Sequence, residues 1–259
     1  MTNTEIYITC GVFGVLGLAV LAGVIAIFVH LRRRVKLDRA DAWLVKEFDR
    51  CNVMVFGKKG SGKDVLFAHV IALRGEKHYS NIPYDENTEV IELREIAAGN
   101  NTFEDCINGT IKKFSPRFEE GCDIYISDAG IYFPNTMYGK LDELYPSLPI
   151  FMALSRHLYA NNVHTNCQAL GRPWKKIREQ ADSYIEVLRT RCRGDYLLVD
   201  IVGYERDSVN DESLVAVCEH TVRVPVFELK YDSRYFRNVF LDRELTPFEK
   251  LKSMIKGVM

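Results

Sequence analysis

Apolar residues follow three rhythms along the chain, and each predicts a different element. From Ile6 to Leu31 they run without a formally charged side chain. As a helix rising 1.5 Å per residue, that run is long enough to cross a hydrocarbon core of about 30 Å. Short apolar blocks then recur between polar, helix-compatible stretches. Asn52–Phe56, His78–Pro83, Cys122–Ile126, Val163–Gln168 and Ser183–Leu188 read as strands, the second ended by a proline that cannot continue a ladder. Helical patterns follow residue 63, occur twice within 85–121 around Gly99-Asn100-Asn101, and return over 144–160 apart from its prolines. Tyr196–Gly203 and Thr221–Lys230 are alternating or β-rich and predict a hairpin closing one side of the sheet. Strands alternating with helices imply a three-layer α/β domain with a largely parallel sheet.

Charge divides the chain further. Arg32, Arg33, Arg34 and Lys36 follow the first apolar run, whereas Glu5 precedes it, the reverse of a secretory signal. The positive-inside rule then sets residues 1–5 outside, a transmembrane helix over 6–31, and the rest in the cytoplasm of a single-pass protein of the plasma (inner) membrane. Residues 32–50 read as a basic juxtamembrane linker, 51–233 as the folded domain, and 234–259 as a helical tail. In that tail Phe248, Leu251, Ile255 and Met259 share one face opposite Lys250, Lys252 and Lys256, suited to docking on the domain or to an anionic membrane surface. A net charge of −1 over 259 residues gives no bulk signature of nucleic-acid binding, so any basic surface is local. The seven scattered cysteines include no C-x-x-C pair, which argues against a disulfide framework or a zinc site.

The chemistry concentrates where the first core strand ends. Val53-Met54-Val55-Phe56 runs into Gly57-Lys58-Lys59-Gly60-Ser61-Gly62-Lys63, a phosphate-binding P-loop by pattern. Its glycines let backbone N–H groups turn toward phosphate oxygens. Lys63 adds a point charge, and the following helix turns its positive dipole end to the same anion. ATP with Mg2+ is the expected ligand pair, held by Gly57, Lys58, Lys59, Gly60, Ser61, Gly62, Lys63 and Asp64. The alternative is a glycine turn that binds nothing. Where the pattern asks for Ser or Thr as a magnesium ligand, this chain has Asp64.

A partner strand ending in acids completes such a site. Ile124-Tyr125-Ile126-Ser127-Asp128-Ala129-Gly130, followed by Ile131-Tyr132-Phe133-Pro134, supplies it. On these residues the chain resembles the zonular occludens toxin-like ATPases, the group that includes the assembly proteins of filamentous phages. Their second motif has the form apolar-apolar-apolar-Asp-Glu-Ala-Gln before an aromatic-Phe-Pro run. Tyr79-Ser80-Asn81-Ile82-Pro83, Ser155-Arg156-His157, Thr165-Asn166-Cys167-Gln168 and Leu229-Lys230-Tyr231-Asp232-Ser233 extend the resemblance over residues 52–233. The departure is specific: the P-loop hydroxyl is Asp64 and the strand-end aspartate is Ser127, so hydroxyl and carboxylate have traded places. The exchanged pair predicts a magnesium site made by Asp64 and Ser127, with Asp128 as the water-activating acid. A decayed site that binds without turnover is the alternative. Tyr196-Leu197-Leu198-Val199-Asp200 is a rival second motif, read instead as a hairpin arm.

Gln168, at the end of its strand, is expected to sense the γ-phosphate or simply to cap an exposed strand end, with Asn166 facing the other way. Arg156, Arg172 and Arg178 are candidates to reach a neighbour's γ-phosphate in a ring, or to form surface salt bridges. The resemblance implies a membrane-anchored ATPase driving assembly and extrusion of filamentous phage virions. Its implied partners are further copies in a ring, coat and assembly proteins, single-stranded DNA or its nucleoprotein, and the membrane. A DNA-translocating pump of the same wider group and a nucleotide-binding scaffold are the other readings.

Overall fold

Parallel pairing dominates because the connections between the first strands return over the sheet faces, which only parallel neighbours require. A computed structural model describes residues 20–28, 39–91, 118–145, 148–159, 162–207 and 213–231. They contain one eight-stranded sheet of order β3-β2-β4-β5-β1-β6-β7-β8. Its strands are β1 Val53–Phe56, β2 His78–Ser80, β3 Thr88–Val90, β4 Ile124–Ile126, β5 Val163–Cys167, β6 Ser183–Arg193, β7 Tyr196–Arg206 and β8 Leu214–Pro225. All pairs from β3 to β6 are parallel, and β6-β7-β8 is an antiparallel meander.

Alternation along β1 shows why two cores form. Val53 and Val55 face one layer with the helix Lys63–Arg74 and the helix 39–50, while Met54 faces the other with the helix Leu148–Tyr159. Each face of the central sheet is thereby covered, as parallel sheets require. The stretch 39–50, expected within a linker, is a layer of the domain. Ala40, Leu44 and Phe48, one helical turn apart, are fully buried against the sheet.

Other expectations shift. β6 and β7 run to eleven residues each, longer than their apolar blocks, because β6-β7-β8 pair along their length beyond the three-layer part. β3 was hidden in a polar stretch: its residues are half-buried or exposed at the sheet edge, so they carry no apolar signal. The single-pass membrane placement is overturned, since no helix among the described residues is long and apolar enough to cross a membrane. Of the expected span only 20–28 is described, and all of it is helical. The rest of 6–31, the basic stretch 32–38, the patterns over 92–117 and the tail 234–259 lie outside the described residues.

Candidate nucleotide-binding site

Three adjacent parallel strands, β4, β5 and β1, end side by side, so the residues that follow each strand meet at one edge of the sheet. Ligands of open α/β sheets bind at such carboxyl ends.

The P-loop leaves β1 at Gly57. A side chain there would run into the Val187 carbonyl of β6, and at Gly62, with φ of 101°, a Cβ would overlap Thr190 Oγ1. Both glycines are therefore demanded by close packing against β6, and Thr190 Oγ1 donates to the Ser61 carbonyl at 2.7 Å. Gly62 caps the helix Lys63–Arg74 without a side-chain hydrogen bond, so the helix's first N–H groups keep no side-chain acceptor at the cap. Lys63 is buried inside the loop, its Nζ donating to the carbonyls of Gly57 at 3.1 Å and Lys58 at 3.3 Å. Ser61 Oγ is also buried and finds no hydrogen-bond partner among the described residues.

The exchanged pair meets. Ser127 Oγ donates to Asp64 Oδ1 at 2.6 Å, and the same oxygen accepts from Asn166 Nδ2 at 2.8 Å and Tyr84 OH at 3.1 Å. Asn81 clamps the backbone of Ser127 in both directions, accepting from its N–H at 2.7 Å and donating to its carbonyl at 3.0 Å. Asp128 follows in the left-handed region, φ 51°, and its N–H donates to Asn166 Oδ1 at 2.8 Å. Burial first, and then the negative charge of Asp64, raise the Asp128 carboxyl above its ordinary value, while Lys63 and Lys59 pull it back. Burial, with the Asp64 charge behind it, likewise pushes the phenols of Tyr84 and Tyr231 upward, so both stay neutral and Tyr84 can donate to Asp64. The Tyr231 ring centre lies 5.8 Å from that of Tyr84.

Lys63, Asp64, Ser127 and Asp128 thus share one site, while the remaining expected residues scatter. Gln168 follows the end of β5, but its Oε1 accepts from Arg172 Nη1 at 2.8 Å. Arg178 Nε is buried without a hydrogen-bond partner among the described residues. Arg156 is exposed and donates to the Arg50 carbonyl at 2.7 Å, before β1 begins and so at the opposite end of the sheet from the P-loop. Asp200 lies in β7, held by Arg189, Arg191 and Thr221, a hairpin arm rather than a second motif.

The expectation for Asn166 was inverted. Asn166, within β5, is fully buried and ties Asp64, Ser127 and Asp128 together, whereas Gln168 lies past the last residue of the strand, where the two-residue alternation no longer applies. Tyr84 and Asn81 were also missed. The pairing of β2 beside β4 brings Asn81 to Ser127, and that neighbour relation has no signature in either segment alone.

A mostly parallel sheet of this order, with a glycine loop between β1 and its helix and an acid–hydroxyl pair at the end of β4, is a mixed α/β fold with the strand–loop–helix geometry of a P-loop. No protein-family model matches the chain, and no curated protein matches it in sequence. Among solved structures it is similar to the N-terminal domain of zonular occludens toxin from Neisseria meningitidis: 13% identity, 72% of this chain and 97% of that chain covered, TM-score 0.42. It is also similar to the genome packaging NTPase of Sulfolobus turreted icosahedral virus 2 in complex with AMPPCP, at 15% identity, 67% and 98% coverage and a TM-score of 0.39. A third similar structure is EssC, ATPases 2 and 3, from Geobacillus thermodenitrificans, at 10% identity, 81% and 45% coverage and a TM-score of 0.37.

Proposed function

We propose that the chain hydrolyses ATP with Mg2+ and, more narrowly, that it is an oligomeric motor of filamentous virion assembly. The contact carrying the first part is Ser127 Oγ on Asp64 Oδ1 at 2.6 Å beside a glycine loop and its lysine. The narrower part rests on the second-motif resemblance over Ile124–Pro134 and its companion stretches, which also suggests coat protein and single-stranded DNA or its nucleoprotein as partners.

The donor set fits a small hard cation. The Asp64 carboxylate and the Ser127 hydroxyl are oxygen ligands of the kind Mg2+ takes alongside phosphates and water. Asp64 and Ser127 would hold the ion, which when bound neutralises charge building on the phosphate oxygens. Lys63 now serves two loop carbonyls, so a triphosphate in the loop offers its Nζ a stronger, charged acceptor. Asn166 fixes the Asp64 carboxylate and, through the Asp128 N–H, the turn that carries the acid. Asp128, raised in pKa by burial and by Asp64, is the group suited to take a proton from an attacking water.

A binding-only site is the second reading, favoured by Asp64 Oδ1 already accepting three hydrogen bonds. Phosphate release by the full chain separates the two. Turnover that requires Mg2+ and disappears in Lys63→Ala is expected. ATP binding without Mg2+-dependent release would leave the scaffold reading and sink the motor.

A further inference from the structure

The meander β6-β7-β8 buries only one of its faces along its outer half. Val187, Val199, Ile201, Val222 and Val224 point into the core beneath the helix 39–50 and the helix Lys63–Arg74. The register fixes what the other face carries. Arg193 stands opposite Tyr196; Arg191 opposite Leu198, which is opposite Arg223; and Arg189 opposite Asp200, which is opposite Thr221. Arg189, Arg191, Arg193, Leu198, Asp200 and Thr221 line an open groove of about 720 Å³ together with Leu188, Glu219 and His220, and Tyr196 and Arg223 stand beside it on the same face.

Charge on this face is one-sided. Three arginines in the groove, and Arg223 beside it, meet Asp200 and Glu219. Asp200 spends itself on Arg189 Nε at 2.8 Å and Arg191 Nη2 at 2.7 Å. Burial opposes its ionisation, but the hydrogen bonds from Arg189, Thr221 and Arg191 hold its carboxyl below the ordinary value. Arg193 makes no ion pair among the described residues, and the Arg223 guanidinium sits 3.3 Å from the centre of the Tyr196 ring.

We propose that this face binds single-stranded nucleic acid. Arg189, Arg191 and Arg193 recur at every second residue of β6, about 6.7 Å apart, a step close to that between successive phosphates of an extended strand. Guanidinium groups remain charged and pair with phosphate oxygens two at a time. An acidic polypeptide would satisfy the charges equally well. Tyr196 with its stacked Arg223, and the exposed Leu188, add flat and apolar surface of the kind that unstacked bases occupy.

Anisotropy of a fluorescein-labelled 20-nucleotide oligothymidylate with the full chain, without nucleotide and across a KCl series, tests the assignment independently of ATP turnover. The native chain is expected to bind with a steep salt dependence. Arg193→Glu with Arg223→Glu is expected to weaken binding at least tenfold and flatten the log–log salt slope by about 1.4, at roughly 0.7 per single-strand phosphate lost. Arg189→Gln with Arg191→Gln removes two guanidinium charges, leaves Asp200 the Thr221 hydroxyl and two side-chain amides as donors, and is expected to weaken binding as well. Circular dichroism checks that each variant is folded. The proposal is overturned if the native chain leaves the oligonucleotide free at 50 mM KCl, or if both folded variants bind it with native affinity and slope. Displacement of the oligonucleotide by polyglutamate at equal charge concentration would also overturn it and assign the groove to an acidic protein.

Discussion

Exchanging the side chains at positions 64 and 127 tests whether the site is a transposed metal pair. In the native chain one carboxylate oxygen of Asp64 serves Ser127, Tyr84 and Asn166. Ser127→Asp alone sets a second carboxylate against the first at a position with no solvent exposure. Two charges about 4 Å apart repel by about 4 kcal/mol at an effective dielectric of 20. Proton uptake relieves part of this, so a loss of about 3 kcal/mol is expected. Asp64→Ser alone withdraws the shared acceptor, and stranded buried donors cost about 1–3 kcal/mol each. A hydroxyl at 64 satisfies one of them, leaving a loss of about 2 kcal/mol. Independent effects would then sum to about 5 kcal/mol. The exchanged double variant again holds one acid and one hydroxyl, so it is expected within about 2 kcal/mol of native, a coupling of about 3 kcal/mol. Urea midpoints supply the stabilities, and Mg2+-dependent binding of a fluorescent ATP analogue shows whether the ligand set is restored. Losses additive within about 0.5 kcal/mol, with no recovery of nucleotide binding, would refute the transposition.

Gly62→Ala is expected to abolish nucleotide binding and cost more than the ~1–2 kcal/mol of a left-handed L-residue, because its methyl overlaps the Thr190 hydroxyl. Adding Thr190→Ala should recover part of the melting temperature, and no recovery would show that packing on β6 is not the constraint. At the far end of the sheet, buried Asp123 accepts from Arg74 Nη1 at 2.5 Å, the Asn162 N–H at 2.9 Å and His164 Nε2 at 3.2 Å. Burial alone would raise this acid, but His164, Arg74 and the Asn162 N–H outweigh it and hold its carboxyl below the ordinary 3.8; burial holds His164 below 6.5, with Asp123 opposing. In both cases the unfolded chain binds the proton more readily, so stability rises with pH and is lost on acidification, first below 6.5 and then further below 3.8. Asp123→Asn should cost about 3–5 kcal/mol at neutral pH and flatten the lower part of that profile, read by urea denaturation from pH 7 to 3.

How much of this was legible depended on whether a residue's role is local. The P-loop was readable because strand, glycines and lysine are consecutive, and Ser127 and Asp128 because an apolar strand runs straight into them. Asn166 was in view, yet expected to face away; its amide turns toward Asp64, and the alternation counted back from Gln168 does not apply because the strand ends before that residue. Tyr84 and Asn81 could not be reached this way. Tyr84 is brought to Asp64 by the packing of the segment after β2, and Asn81 to Ser127 by the pairing of β2 with β4, both set by topology. The helix 39–50 misled for another reason. Its charges are conspicuous, while its burial rests on Ala40, Leu44 and Phe48 at four-residue spacing.

Strand β6 joins the P-loop to the arginine-lined groove. Thr190, flanked by Arg189 and Arg191, points to the opposite side and holds the Ser61 carbonyl of the P-loop. Between Val187 and Arg189 the register with β7 shifts by one residue, and this bulge is what puts Thr190 on the loop side and the arginines in the groove. Without it, the alternation begun by Ile185 and Val187 would turn Arg189 into the core and swing Thr190 away from Gly62. The extra residue, Leu188, therefore sets both the fit of the phosphate loop and the display of the arginines. A nucleic acid strand pulling on the groove and a triphosphate filling the loop would act on the same few residues of backbone.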